Sequence, residues 1–223
     1  MNKEDIKNWL DRYQNQIRSD AEELLDMQMP EVSEELFAIF EKTGSRIEYE
    51  EVYCERRKFL SVFGCMTILD SAEKYRRKLE AVIRNVCEEE CWALPAHVNR
   101  ASDLDWRNCV DLLASETANI LAELSTLLRE RLSDDIHILI RENIQKRIFD
   151  PYLSRKPYAT WENCEMNWNA VCNGNIGGAA IYLLQDKPEV LNQLLERVCD
   201  NLVHYLNGFS EEGVCKEGLS YYT

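Results

Sequence analysis

Apolar residues recur at intervals of three and four along most of this chain, and no segment shows strand-like alternation. Ile6, Trp9, Leu10, Tyr13, Ile17, Ala21 and Leu24 mark one amphipathic helix over residues 3–27, with a charged opposite face. Pro30 ends it. Val32, Leu36, Phe37 and Phe40 predict a second helix over about 32–43, closed by Gly44. Helices are expected over about 50–69 and 71–90, with Ser71 as a partial N-cap because Lys74 stands where a capping box has glutamate. Pro95 keeps Cys91 to Arg100 from being one helix. Asp103 is expected to cap a helix over about 104–128, carrying Leu112, Leu113, Ile120, Leu121, Leu124 and Leu128, and Ser133 to open one running to about Phe149. Pro151 to Cys164 reads as a loop rich in aromatic and basic residues. Two helices follow, one to about Leu184 and one from Pro188 to near Asn207, then an irregular tail from Phe209 to Thr223.

The expected class is therefore all-α, built of helical hairpins. A faint internal repeat fits this reading. Ile68 to Val86 overlays Leu184 to Leu202 at an offset of 116 residues, matching Asp70 with Asp186, Leu79 with Leu195 and Val82 with Val198. Both segments read as a turn followed by the second helix of a hairpin, which suits stacked or ring-closed hairpins.

Composition narrows the function. The 223 residues are 45% apolar and 30% charged, with only eight glycines and five prolines, which favours long regular elements over a turn-rich fold. A net charge of -14 argues against a general nucleic-acid or anionic-membrane partner. It weighs mildly against a polyanion too, unless positive charge gathers at a site. The polar N-terminus carries no signal-peptide core, and no apolar run reaches spanning length. Nine cysteines, mostly on apolar helix faces, point to free thiols in a reducing, cytoplasmic setting. Cys87 and Cys91 share a possible helix face but have no His or CxxC partner in register, so no metal site is expected, and no cofactor motif stands out. Nothing here fixes an oligomeric state.

One stretch spends unusual residues together. Between Asn167 and Gly178 fall four asparagines, Trp168 and three glycines. Each glycine in a helix costs about 1 kcal/mol relative to alanine, so the stretch needs room for something. That room serves either a ligand or a closely packed neighbouring helix.

Trp92-Ala93-Leu94-Pro95-Ala96-His97, Asp111-Leu112, Glu116-Thr117-Ala118, Arg147-Ile148-Phe149-Asp150-Pro151, Asn167 to Gly174, and Glu217-Gly218-Leu219-Ser220-Tyr221-Tyr222 occur in that order. Together they resemble the N-terminal helical, alginate-lyase-like domain of the heparinase II/III-like polysaccharide lyases, over roughly residues 50–223. Residues 1–49 carry no such motif. The resemblance implies part of an incomplete α/α toroid, here one domain over 1–223, with the family's β-sandwich lying beyond this segment. It implies an acidic polysaccharide or oligosaccharide as partner, a glycosaminoglycan or alginate for instance, cleaved by β-elimination without a cofactor.

In that reaction a base removes the proton beside a uronate carboxylate and the 4-linked sugar leaves. Donors aimed at the carboxylate offset its charge as the carbanion develops, one such donor being worth roughly 3 kcal/mol. The resemblance assigns that part to Asn169, with Asn173 second, and the acid–base part to Tyr221 or Tyr222. His97, after its Pro-Ala turn, is a further catalytic candidate. Trp168, Trp92 and Trp161 are candidates for stacking on sugar rings. Glu217 and Arg100 are candidate substrate contacts, and Arg155 and Lys156 offer local positive charge. His137 and His204 read as structural. Two alternatives stay open: a glycoside hydrolase on the same architecture, which needs two carboxyls near the site, and a non-catalytic glycan-binding or scaffold fragment.

Overall fold

The structure, a computed structural model, describes residues 3–101 and 105–218. It is all-α, with no strand among the described residues. The helices are α1 (Lys3–Leu25), α2 (Glu34–Phe37), α3 (Ile39–Thr43), α4 (Ile47–Leu69), α5 (Glu73–Glu88), α6 (Leu112–Leu127), α7 (Asp134–Ile144), α8 (Asp150–Ser154), α9 (Asn167–Leu183) and α10 (Pro188–Leu206). They fall into two compact units, one of residues 1–89 and 127–136, the other of 90–126 and 137–223.

In the first unit α4 and α5 form a hairpin, and α1 lies against α4. The core is aromatic and aliphatic: Phe59, Leu60, Phe63, Met66, Leu79 and Ile83 are fully buried. Each such side chain contributes roughly 1.5–3 kcal/mol. Only the C-terminal half of the α1 stripe is used. Ala21 and Leu24 are buried, while Ile6, Trp9, Leu10 and Tyr13 remain exposed, with Trp9 and Tyr13 stacked on each other. The second expected helix is split at Ala38, and Gly44 ends it in the left-handed conformation at φ +76°. Ser71 does not cap α5. Asp70 does the local work instead, its Oδ1 accepting from the Ala72 N–H at 2.9 Å. Glu89 is buried and takes Arg56 Nε at 2.7 Å and both Arg57 terminal nitrogens at 2.7 and 2.8 Å.

In the second unit α9 and α10 form a hairpin. Their close approach explains one glycine, since a Cβ on Gly177 would stand 3.4 Å from Val198. A Cβ on Gly178 would stand 2.5 Å from Asn119 Oδ1 of α6, whereas Gly174 faces open space. The helix expected over 104–128 starts only at Leu112. Asp105 accepts from the Arg107 N–H and closes a 3-10 turn at 106–108, and Asp111 accepts from the Ala114 N–H, as an N-cap does. The expected loop after Pro151 begins later than the sequence implies. A π-helical stretch over 145–149 joins α7 to α8, and Pro151 sits in the first turn of α8, where no N–H is missed.

Both hairpin turns are closed by an arginine. Arg131 donates to the Thr67 and Asp70 carbonyls at the end of α4, and Arg141 donates to the Leu183 carbonyl at 2.6 Å and to Asp186 at 3.2 Å at the end of α9.

Candidate functional site

The site is built in the second unit from the turn at 94–98. Pro95 starts a single 3-10 turn that ends at His97. The carboxylate beneath it belongs to Asp111, which is 1% exposed. Asp111 Oδ2 lies 3.1 Å from the Leu94 nitrogen and 2.7 Å from His97 Nδ1, and Oδ1 lies 2.7 Å from the Ala114 nitrogen. One carboxylate thus ties the turn to the start of α6. The His97 ring meets the Trp168 ring edge-on, with centroids 4.7 Å apart.

His97, Asp111 and Trp168 line a cavity of about 240 Å³, together with Trp106, Trp161 and Arg155. This is smaller than the roughly 300–1,000 Å³ of drug-sized ligand sites, and fits one small ring. Its walls are fixed from behind. Trp161 donates through its indole N–H to the Val110 carbonyl at 3.1 Å and stacks on Tyr152. The Tyr158 hydroxyl accepts from the Val110 N–H at 3.0 Å. Arg155 Nε donates to the Tyr158 carbonyl at 3.0 Å. Cys109 also faces the cavity, but burial, with Asp111 and Cys91 adding, pushes its thiol up to about 12. It stays protonated at neutral pH and is no nucleophile. Burial likewise pushes the Tyr158 hydroxyl up.

The tail reaches the same end of α9. Glu217 Oε2 accepts from the Asn167 N–H at 2.5 Å, at the first residue of that helix, whose N-cap Met166 offers no side-chain bond. A carboxylate is favourable there because the helix dipole is positive at its N-terminus. Gly208 permits the tail's course, since a Cβ on it would stand 2.5 Å from the Glu165 carbonyl oxygen.

Five expected ligand contacts do not line the cavity: Asn169, Asn173, Trp92, Arg100 and Glu217. Asn169 and Asn173 are wholly enclosed and do not line the cavity. They sit one turn apart on the stripe of α9 that also carries Ile176, Ala180 and Leu183. Asn169 Nδ2 donates to the carbonyls of Glu162 at 2.7 Å and Asn201 at 3.0 Å, and its Oδ1 has no partner among the described residues. Asn173 Nδ2 donates to the Asn169 carbonyl at 2.8 Å, and its Oδ1 accepts from the Tyr152 hydroxyl at 2.8 Å. Trp92 is 1% exposed, with the Arg147 guanidinium 5.0 Å from its ring centroid, so it serves the core. Arg100 stands over Trp106 at 4.6 Å. Tyr221 and Tyr222 lie outside the described residues.

The asparagines belong to a buried polar network absent from the sequence reading. Arg197 grips Glu162 with two bonds, Nε to Oε1 at 2.6 Å and Nη2 to Oε2 at 2.8 Å, and its guanidinium lies 4.0 Å over the Tyr152 ring. Asn201 adds a bond to Glu162 Oε1 at 2.6 Å and one to the Tyr152 hydroxyl at 3.0 Å. Burial works to raise the Glu162 carboxyl. The bonds from Arg197, the Tyr158 N–H and Asn201 outweigh it and hold the group below the ordinary glutamate range. This network backs the Trp161 and Tyr158 wall and contributes no group to the cavity through its asparagines.

Among the residues given no role from sequence, Asp111 was quoted only within a motif, because the helix expected over 104–128 hid its capping position. Trp106 stood in a segment assigned to helix interior. No known family model matches this chain, and no curated protein matches it.

Proposed function

We propose that this chain carries the helical part of a site for acidic sugars and acts on uronate-containing polysaccharides or oligosaccharides by β-elimination. The observation that carries the reading is that three motif segments, far apart in sequence, meet at one end of α9. His97 lies on Trp168, and Glu217 caps Asn167. Trp106, Trp161 and Trp168 line the cavity where a sugar ring would sit, and Arg155 adds positive charge there in a chain of net charge -14. Tyr221 or Tyr222 takes the acid–base role and follows Glu217 by no more than five residues.

The enclosure of Asn169 favours a second reading, binding without elimination, because the amide expected to neutralise the carboxylate is committed to carbonyls. One experiment separates them. The protein is mixed with defined uronate oligomers and with neutral oligomers of equal length, following tryptophan fluorescence for binding and ultraviolet absorbance for the unsaturated product. Uronate oligomers should bind about 10–100-fold more tightly than neutral ones, the worth of one charge-assisted bond of roughly 1.5–3 kcal/mol. Product should form, and Tyr221→Phe or Tyr222→Phe should slow it about 10²–10⁴-fold. Binding without product establishes the second reading, and no preference for uronates ends both.

A further inference from the structure

We infer that Asp111 is the positioning residue of a proton-accepting pair, fixing His97 in one tautomer with Nε2 as the working atom. The inference deepens the sugar-site reading and depends on it only for the identity of the ligand. The hydrogen-bond roles around Asp111 set the tautomer. Its Oδ2 already accepts from the Leu94 N–H at 3.1 Å and its Oδ1 from the Ala114 N–H at 2.7 Å. An ionised carboxylate can only accept. The third contact, 2.7 Å to His97 Nδ1, is therefore Nδ1–H donating to Oδ2. In the neutral ring the lone pair is then on Nε2, which has no hydrogen-bond partner among the described residues, on a side chain that lines the cavity.

Two features hold this arrangement. Asp111 is 1% exposed and tied to two backbone nitrogens, so the carboxylate does not rotate away. The His97 ring is braced edge-on by Trp168 at 4.7 Å, so it does not flip freely to present Nδ1. When Nε2 accepts a proton from a bound ligand, leaving the tyrosine to protonate the departing oxygen, the ring becomes an imidazolium with Asp111 beside it, and the ligand keeps the electron pair of the broken bond. The same logic makes the buried aspartate of a serine-protease triad act through its histidine. Here imidazole, not the amide of Asn169, is the directional group at the cavity.

The test reads the ring itself. In ¹⁵N-labelled full-length protein, the neutral form of His97 should carry its proton on Nδ1, assigned against the spectrum of His97→Gln. In Asp111→Asn, an amide meets two backbone N–H donors with one oxygen, and the tautomer should shift toward Nε2–H. Turnover on uronate oligomers should then fall about 10²–10⁴-fold with little change in KM. Asp111→Glu, which keeps the charge, should restore part of it. A wild-type ring protonated on Nε2 overturns the proposal without any variant having to fold. So does Asp111→Asn with an unchanged tautomer and an unchanged pH profile. A ring protonated on Nδ1 in a protein that binds no uronate sinks the sugar reading and leaves the pair standing.

Discussion

Glu162 is fully buried, and its charge is stabilised only by the partners that converge on it. Glu162→Gln keeps the shape and strands the Arg197 charge in the interior, so it should cost about 3–5 kcal/mol in urea unfolding followed through Trp161. The pH sign follows from the lowered carboxyl. Its folded value lies below the unfolded one, near about 4.3, so its stabilisation is complete above that value and is lost as pH falls through the folded value. Wild-type stability should drop as pH falls below about 4, and Glu162→Gln should show a flatter slope there. At this scale the sequence was half legible. The spacing of Asn169 and Asn173 with Ile176 and Leu183 already places both asparagines on the buried stripe, but asparagine reads as a surface residue unless its partners are known. Tyr152 and Asn201 are too distant in the chain for any local pattern to reveal, and Glu162, seven residues before Asn169, lies in a separate 3-10 turn.

Helices were the most legible level, because three-and-four spacing reports burial directly. The errors fell where a side chain competes with the backbone pattern. Asp105 and Asp111 delay α6, and a π turn lets helix continue past the point where Pro151 would otherwise end it. Glycines give the sharpest element-scale test, since three of them face different surroundings. Gly174→Ala meets nothing within 4 Å and should gain up to about 1 kcal/mol, or about 2–4 °C in Tm. Gly178→Ala meets the Asn119 amide, a side chain that can turn aside, so the helix gain and the displacement should nearly cancel. Gly208→Ala meets the Glu165 backbone oxygen at 2.5 Å and should lose about 1–3 kcal/mol. It should also loosen the Glu217 cap, seen as faster amide exchange at Asn167. Equal Tm shifts in all three variants would contradict this assignment of their roles.

At the scale of the whole chain, each unit has its own core and its own buried ion cluster: Glu89 with Arg56 and Arg57 in the first, Glu162 with Arg197 in the second. Hydrogen exchange should therefore respond by unit. Glu89→Gln is expected to raise exchange in residues 1–89, and Glu162→Gln in residues 137–206, each leaving the other unit's core amides protected. Loss of protection spreading evenly through both would show one cooperative body. This division was not visible in the sequence, which shows helices but not which of them share a core. The all-α class was visible, and no described helix is long and apolar enough to cross a membrane.

The arginines that close the two hairpin turns bear on how such a chain grows. The turns match at an offset of 116 residues, yet Arg131 and Arg141 stand only ten apart, so they are not copies of each other. Such a hairpin carries a socket, the carbonyls left bare at the end of its first helix, and its plug comes from outside the hairpin. The two hairpins here take their plugs from different segments, one from the turn before α7 and one from within it. A hairpin of this kind set against a new neighbour would therefore need an arginine there to close its turn again.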